Sequence, residues 1–271
     1  MALGHGRWTR DARSRLFVPE TAGSTPGFNP ADFGADFSWW AARLESYANG
    51  AAVPTWTDRG SGTLTVTGAV GQEPEFRDGT DPVAPNGQPC VRWVSGDRLL
   101  NAVTGVTGPW TAAVVCRPTA LGSTNIPLIG GTPSLGTTSL RFSSLSSGRL
   151  TLQSGNSALI TVSPSSPSGA GYQPIIPLGW QVAVGTFHFG NANQGLDVFK
   201  SGLTAGVSPN NFISIANTAG NSNNVAAGVF CVGGNLFVGE IAEAVLWRQT
   251  MDAATRATIG KQLSDLYGVT Y

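Results

Sequence analysis

The sequence predicts an all-β protein: an antiparallel β-sandwich followed by one C-terminal α-helix and preceded by an extended N-terminal arm. Three observations carry this. Short runs of strand-forming residues recur along the chain at the spacing of a sandwich. Glycine (36) and proline (17) are abundant while charged residues make up only 12%, the balance of many short strands joined by tight turns. The last stretch changes period, from a buried strand over residues 237–247 to apolar positions at helical spacing over 251–271. With 271 residues and 41% hydrophobic content, the chain can form one large β domain or two small ones.

Residues 1–36 read as an extended basic arm, set apart from a domain spanning 37–271. Arg7, Arg10, Arg13 and Arg15 stand against Asp11, with Trp8, Leu16 and Phe17 as apolar anchors. Pro19, Gly23, Pro26, Gly27 and Pro30 then break any regular element. Such a segment is either a loose terminus or an arm that orders on a neighbouring subunit. In the second case Arg7, Trp8, Arg10, Arg13, Arg15 and Phe17 make the contact.

Residues 37–47 suit either a short helix or a turn leading into the sheet. In the following Val53-Pro-Thr-Trp-Thr-Asp-Arg-Gly-Ser-Gly, Trp56 plugs the core and Asp58 bonds back to the backbone of the turn. Residues 64–67 alternate like a strand, a Pro/Asp/Glu-rich loop runs to Pro85, and 86–93 form a turn and a strand. Further strands are expected at 109–118, 126–129, 139–143, 149–153, 159–162, 180–189, 196–200, 225–232 and 236–247. The stretches 163–179 and 204–224 are loops, the first holding Pro164, Pro167, Pro174 and Pro177, too many for a central strand.

In the final stretch Val238, Ile241, Val245, Leu246 and Trp247 are strand formers. Thr250 or Asp252 then offers a side-chain oxygen as helix N-cap. Ile259, Leu263, Leu266 and Tyr267 put one apolar helix face toward the sheet, and Gly268 stands where a left-handed C-cap belongs.

Several of these stretches resemble the LamG-like, concanavalin A-like jelly rolls. The ending Gly239-Glu-Ile-Ala-Glu through Leu246-Trp247 and Tyr267-Gly-Val is similar to their C-terminal signature. Trp56, Asp58 and Gly60-Ser-Gly resemble their W-x-D-x-S-G step, and Asn86-Gly-Gln-Pro-Cys-Val-Arg-Trp their N-G-x-P-x-V-x-F step, with Trp93 as the aromatic. Pro109 to Pro118 resembles the central strand with its closing x-R-P, and Leu196-Asp-Val-Phe-Lys-Ser-Gly the hairpin L-x-V-Y-x-N-G. The resemblance covers residues 39–269 and implies an antiparallel jelly-roll β-sandwich.

Composition excludes some functions. The formal net charge is zero, so no whole-molecule field favours nucleic acid or an anionic membrane. No apolar stretch approaches the ~18 residues of a membrane span. The N-terminus lacks the apolar core of a signal peptide, so synthesis and assembly in a cytoplasm are expected. Cys90, Cys116 and Cys231 are an odd set without paired spacing, which reads as three reduced core thiols.

Chemistry is hard to place. A retaining glycosidase needs two carboxylates about 5 Å apart. Glu240 and Glu243 are the nearest pair, and their odd separation puts them on opposite faces of a regular strand. Glu243 instead reads as bonding into the strand–helix junction. His5 lies in the arm and His188 in a strand, so no local metal cluster forms. Scattered Asp side chains and carbonyls could hold at most a weak Ca²⁺. Of the tryptophans, Trp56, Trp93, Trp110 and Trp247 read as core, while Trp39, Trp40 and Trp180 stay open between core and sugar platform.

LamG-like modules recur in phage structural proteins. The resemblance therefore implies a structural virion protein of a tailed phage, a minor tail or tail-tip component or else a head decoration protein. A non-viral carbohydrate-binding module is the alternative. The chain is expected to be no enzyme and to need no cofactor. Its expected partners are other virion proteins through the arm, further copies of itself in a particle, and a host glycan, with no nucleic acid. Its expected location is the virion, after synthesis in the host cytoplasm.

Overall fold

The computed structural model describes residues 27–60, 64–106, 109–120, 126–131, 138–142, 150–154, 158–161, 179–187, 195–200, 210–211, 226–234 and 237–269. Its first strands are β1 (Phe37–Ala41), β2 (Thr55–Trp56), β3 (Val66–Thr67), β4 (Glu75–Arg77), β5 (Cys90–Trp93), β6 (Leu99–Val106), β7 (Trp110–Ala120) and β8 (Ile126–Gly131). Then come β9 (Thr138–Phe142), β10 (Leu150–Ser154), β11 (Ala158–Thr161), β12 (Gln181–Phe187), β13 (Gly195–Lys200), β14 (Asn210–Asn211), β15 (Ala226–Val232) and β16 (Val238–Trp247). The helix α1 (Ala253–Tyr267) follows. The expected strand runs from 126 to 247 all fall on strands, with ends displaced by a residue or two. Within the expected loop at 204–224, the short strand β14 is the described part. The loop at 163–179 lies outside the described residues except for its last position.

The strands form two antiparallel sheets packed as a sandwich. One has the order β14-β13-β12-β7-β16-β5-β4, and the other β11-β10-β9-β8-β15-β6-β3-β2. In the first sheet β16 is the spine. One edge pairs with β7 along its length, from Val238 against Ala120 to Trp247 against Thr111. The other edge is divided: Gly239–Ile241 pairs with β5, and Glu243–Trp247 pairs with β1. Residues 37–41 are therefore a strand, and the turn of 3₁₀ helix comes after it, at Ala42–Leu44. The sequence left that choice open because β1 is covered on both faces, which erases the alternation that marks a strand.

Two cores lie on either side of the spine sheet. Between the sheets are Trp40, Trp56, Trp93, Trp110, Phe230 and Phe237, together with Ala112, Val114 and Cys116 of β7. On the outer face Ala113 and Val115 of β7 meet Val245, Trp247, Ile259, Leu263 and Tyr267. This double burial explains why β7 and β16 read as nearly continuous apolar runs. Each fully buried aliphatic or aromatic side chain contributes about 1.5–3 kcal/mol by leaving water. Trp56, Trp93, Trp110 and Trp247 are core as the sequence indicates, and Trp40 joins them. Trp39 and Trp180 are half-buried.

The helix is set by its caps and one apolar face. Asp252 accepts the Thr255 N–H at 2.7 Å, and Gly268 takes the left-handed conformation at φ 65°. Ile259, Leu263 and Tyr267 are buried against the sheet. Ahead of β1, Phe28 and Phe33 pack around the Trp247 ring, with centroids 6.4 and 6.3 Å away. The three cysteines are buried thiols, and burial pushes those of Cys90 and Cys116 up to about 12. Among the described residues no helix is long and apolar enough to cross a membrane.

Candidate functional site

The two acids of β16 owe their placement to a β-bulge. Ile241 pairs with Cys116 and Glu243 pairs with Val115, so Ala242 is an extra residue in the ladder. The extra residue resets the alternation. Ile241, Ala244 and Leu246 belong to the core between the sheets, whereas Ala242, Val245 and Trp247 belong to the outer cluster. Glu243 meets Tyr267 of the outer helix, and Glu240 meets Arg92 and Arg117, whose strand neighbours Cys90 and Val115 are outer-facing too. The expectation that the odd separation sets Glu240 and Glu243 on opposite faces is thus corrected. The bulge brings both to the outer face.

Glu243 is fully buried, and each of its oxygens has a donor. Trp39 Nε1 donates to Oε1 at 2.6 Å, while Tyr267 Oη at 2.5 Å and Arg43 Nε at 3.3 Å donate to Oε2. Arg43 also reaches the Phe28 carbonyl at 3.1 Å and lies over the Trp39 ring at 5.2 Å. Burial pushes the Glu243 carboxyl above the ordinary carboxylate range, against the opposing pull of Arg43, Tyr267 and Trp39. Burial and this carboxylate raise Tyr267 well above a free phenol. The cluster ties β1, β16 and α1 together, the junction role read from the sequence. Asp58 is structural as well: it accepts from the N–H groups of Trp39, Gly60 and Leu64 at 2.9, 2.8 and 3.0 Å.

Glu240 stands in a different setting. Neighbouring strands place Glu75, Arg92, Glu240 and Arg117 directly beside one another in a row across β4, β5, β16 and β7. Trp180 extends the row, one position before the Gln181–Cys116 pair, and the Arg117 guanidinium lies 6.0 Å from its ring centroid. The Arg92 and Arg117 Nε atoms donate to the two oxygens of Glu240 at 3.0 and 2.9 Å. The acid is 2% exposed, whereas Arg92 and Arg117 are 28% and 22% exposed. The hydrogen bond to Glu240 holds the Arg117 proton more tightly than usual. Trp180 is fixed by its Nε1–H on the Val83 carbonyl at 3.0 Å. Glu75 is held in turn by Arg77, which also meets Asp81 at 3.4 Å.

Chemically the row offers donors at Arg92 and Arg117 and an acceptor at Glu75, whose side chain is 44% exposed. Each guanidinium has five N–H groups and Glu240 takes one from each. Local sequence signals could not find it, because a row runs across strands and only the register assembles it. Glu240 entered the sequence reading as half of an acid pair and Trp180 as an ambiguous aromatic. Nothing in their spacing pointed to Arg92 or Arg117. The expected arm contacts Arg7, Trp8, Arg10, Arg13, Arg15 and Phe17 lie outside the described residues, as do His5 and His188. Among the described residues no group of three or more His, Cys, Asp or Glu is placed to hold a metal ion.

No protein-family model matches the sequence, and no curated protein matches it. Solved structures are similar in fold. A GH54 α-L-arabinofuranosidase soaked with a cyclic sulfate inhibitor aligns with TM-score 0.53 at 11% identity, over 86% of this chain and 60% of that one. A Trypanosoma rangeli sialidase in complex with a difluorinated sugar acid aligns with TM-score 0.49 at 12% identity, over 94% of this chain and 37% of that one. The chain spans less than two thirds of either protein. At such identity the arabinofuranosidase likeness shows the architecture alone. It nevertheless corrects the expectation of a chain that is no enzyme, since that architecture is shared with a glycoside hydrolase chain. One ground for that expectation, an acid pair set on opposite faces by strand alternation, is removed by the bulge at Ala242.

Proposed function

We propose that this chain is a concanavalin A-like jelly-roll module that recognises carbohydrate through the outer-face row of Arg92, Glu240, Arg117 and Trp180. The observation behind this reading is the fixed geometry of the two guanidiniums. A buried carboxylate holds both Nε atoms, so the remaining N–H groups meet a ligand without first being ordered. Trp180 adds an aromatic body beside them, the combination of apolar face and polar forks that sugars require. The architecture shared with an arabinofuranosidase chain favours the same class of ligand. Binding of the purified chain to a glycan array tests it, with hydrolysis of each bound glycan followed by released reducing ends. Binding that falls about tenfold or more in Arg117→Lys supports the reading. An array with no bound glycan overturns it.

The setting we propose is a tailed-phage virion, in a minor tail or tail-tip position or as a head decoration protein. What supports this is the arm, where Arg7, Arg10, Arg13 and Arg15 accompany Trp8 and Phe17. Arginine can pair with carboxylates of a neighbouring subunit through two parallel hydrogen bonds, while the aromatic rings fill pockets. Incorporation of a variant lacking residues 1–26 into particles is the test, and normal copy number in that variant would sink the proposal.

A further inference from the structure

We infer that the row binds a neutral sugar through a vicinal pair of hydroxyls, one accepting from Arg92 and the next donating to Glu75. This rests on the carbohydrate reading above and adds the class of ligand.

The strand register sets the two side chains beside each other. Glu75 of β4 and Arg92 of β5 are directly opposed in an antiparallel pair. Side chains so placed leave the sheet about 5 Å apart, and both are long enough to converge on adjacent ring hydroxyls. Arg92 gives its Nε–H to Glu240 and is 28% exposed, so its Nη groups are the donors on offer. Glu75 is the most exposed charged member of the row at 44%, and Arg77 meets its Oε2. Oε1 is then the acceptor.

The charge balance points the same way. Three carboxylates, Glu75, Asp81 and Glu240, stand against three guanidiniums, Arg77, Arg92 and Arg117. Asp81 lies close enough for its charge to act on Arg117 as well. An anionic ligand therefore finds no surplus charge to offset, and it meets Glu75 at the exposed end of the row. A hydroxyl is uncharged and both donates and accepts. Two neighbouring hydroxyls on one ring thus satisfy Arg92 and Glu75 together. A carboxylate is acceptor-only, so it suits the first and is repelled by the second.

The experiment is calorimetric titration of the full chain with three tetrasaccharides. They are cellotetraose, the same tetraose oxidised at C6 to its uronate, and laminaritetraose, whose 1,3 linkages leave vicinal hydroxyl pairs on its end units only. The expected result is binding of cellotetraose, with each of the others weaker by about fivefold or more. Glu75→Ala removes the acceptor and leaves one guanidinium in surplus. It should weaken cellotetraose about tenfold and strengthen the uronate, a reversal that a purely structural role would not produce. Its thermal midpoint should stay near that of the parent, because a half-exposed ion pair contributes little to stability. Uronate binding to the parent as tightly as cellotetraose overturns the inference and leaves the carbohydrate reading standing. So does laminaritetraose binding equal to that of cellotetraose, or cellotetraose binding unchanged in Glu75→Ala. If the array holds a glycan and no tetraose binds, the inference alone falls. No saccharide bound in either experiment removes both.

Discussion

A carboxylate with no exposed surface persists only if neighbouring groups replace the water it has lost, and Glu243 has three such groups. Replacing Oε2 by an amide nitrogen sets a donor against the Arg43 Nε–H and the Tyr267 O–H. Glu243→Gln should cost roughly 1–3 kcal/mol of stability, the range for leaving buried hydrogen-bonding groups unpaired. The pH dependence gives a finer check. The folded-state pKa of Glu243 is raised, so its stabilising contribution is complete below the unfolded pKa and is lost as pH rises through the folded one. The stability gap between parent and Glu243→Gln should therefore narrow as pH climbs from the ordinary glutamate range toward neutrality. A gap that widens instead would mean that the folded state favours the ionised form. Trp56 is a simpler case, with no exposed surface and the Trp93 ring 5.9 Å away. Trp56→Ala should cost on the order of 3–5 kcal/mol, read from the urea midpoint. Its β-branched surroundings made that burial legible in the sequence. The partners of Glu243 were not legible, because Trp39 and Arg43 lie some two hundred residues away.

At the scale of the element, β16 shows how a strand can be recognised correctly while its faces are misread. Its composition announces a buried strand, and its ends fall close to expectation. The bulge depends on the neighbour. The register with β7 breaks twice, first between Val238 and Gly239, beside Pro118, and again at Ala242. Proline has no N–H to give the ladder, so regular pairing cannot pass through it. Gly239 sits at φ 150°, and a Cβ there would come within 2.3 Å of the Arg117 carbonyl oxygen. Gly239→Ala should destabilise the chain by about 1–3 kcal/mol. It should also displace Glu240 from Arg92 and Arg117, and so weaken saccharide binding beyond what the loss of folded protein accounts for. Measuring affinity well below the melting temperature separates the two effects. Unaltered affinity in a folded variant would show that the register at Glu240 tolerates the shift.

For the molecule as a whole, most of the long strands were legible in chain order, and sheet order was not. β4, inside the stretch read as a loop to Pro85, and β6, which was not read as a strand, were missed. Composition and turn spacing mark where strands begin and end, but they carry no record of which strands meet. The spine of one sheet is the last strand of the domain, flanked by β7, β5 and β1. The site suffers from the same limit, since its four side chains come from four separate stretches. The arm lies at this scale too. Phe28 and Phe33 pack on Trp247, so a deletion that stops at residue 26 spares those contacts. Its thermal midpoint should stay near that of the parent, whereas deletion through residue 33 should lower it.

The position of β16 also governs how the protein comes into being on a ribosome. Synthesis is vectorial, and β1, β5 and β7 all emerge before the strand that joins them exists. Trp39 waits 204 residues for Glu243. Such distant pairings fold slowly, because the entropy of closing the loop precedes any gain from the contact. Until β16 clears the exit tunnel, the outer edges of β1, β5 and β7 remain open to chaperones and to strands of other nascent chains. Ribosome-stalled chains that expose residues only up to 236 should be degraded rapidly by a protease. Chains stalled with 237–269 also exposed should resist it, as the sandwich locks in one late step.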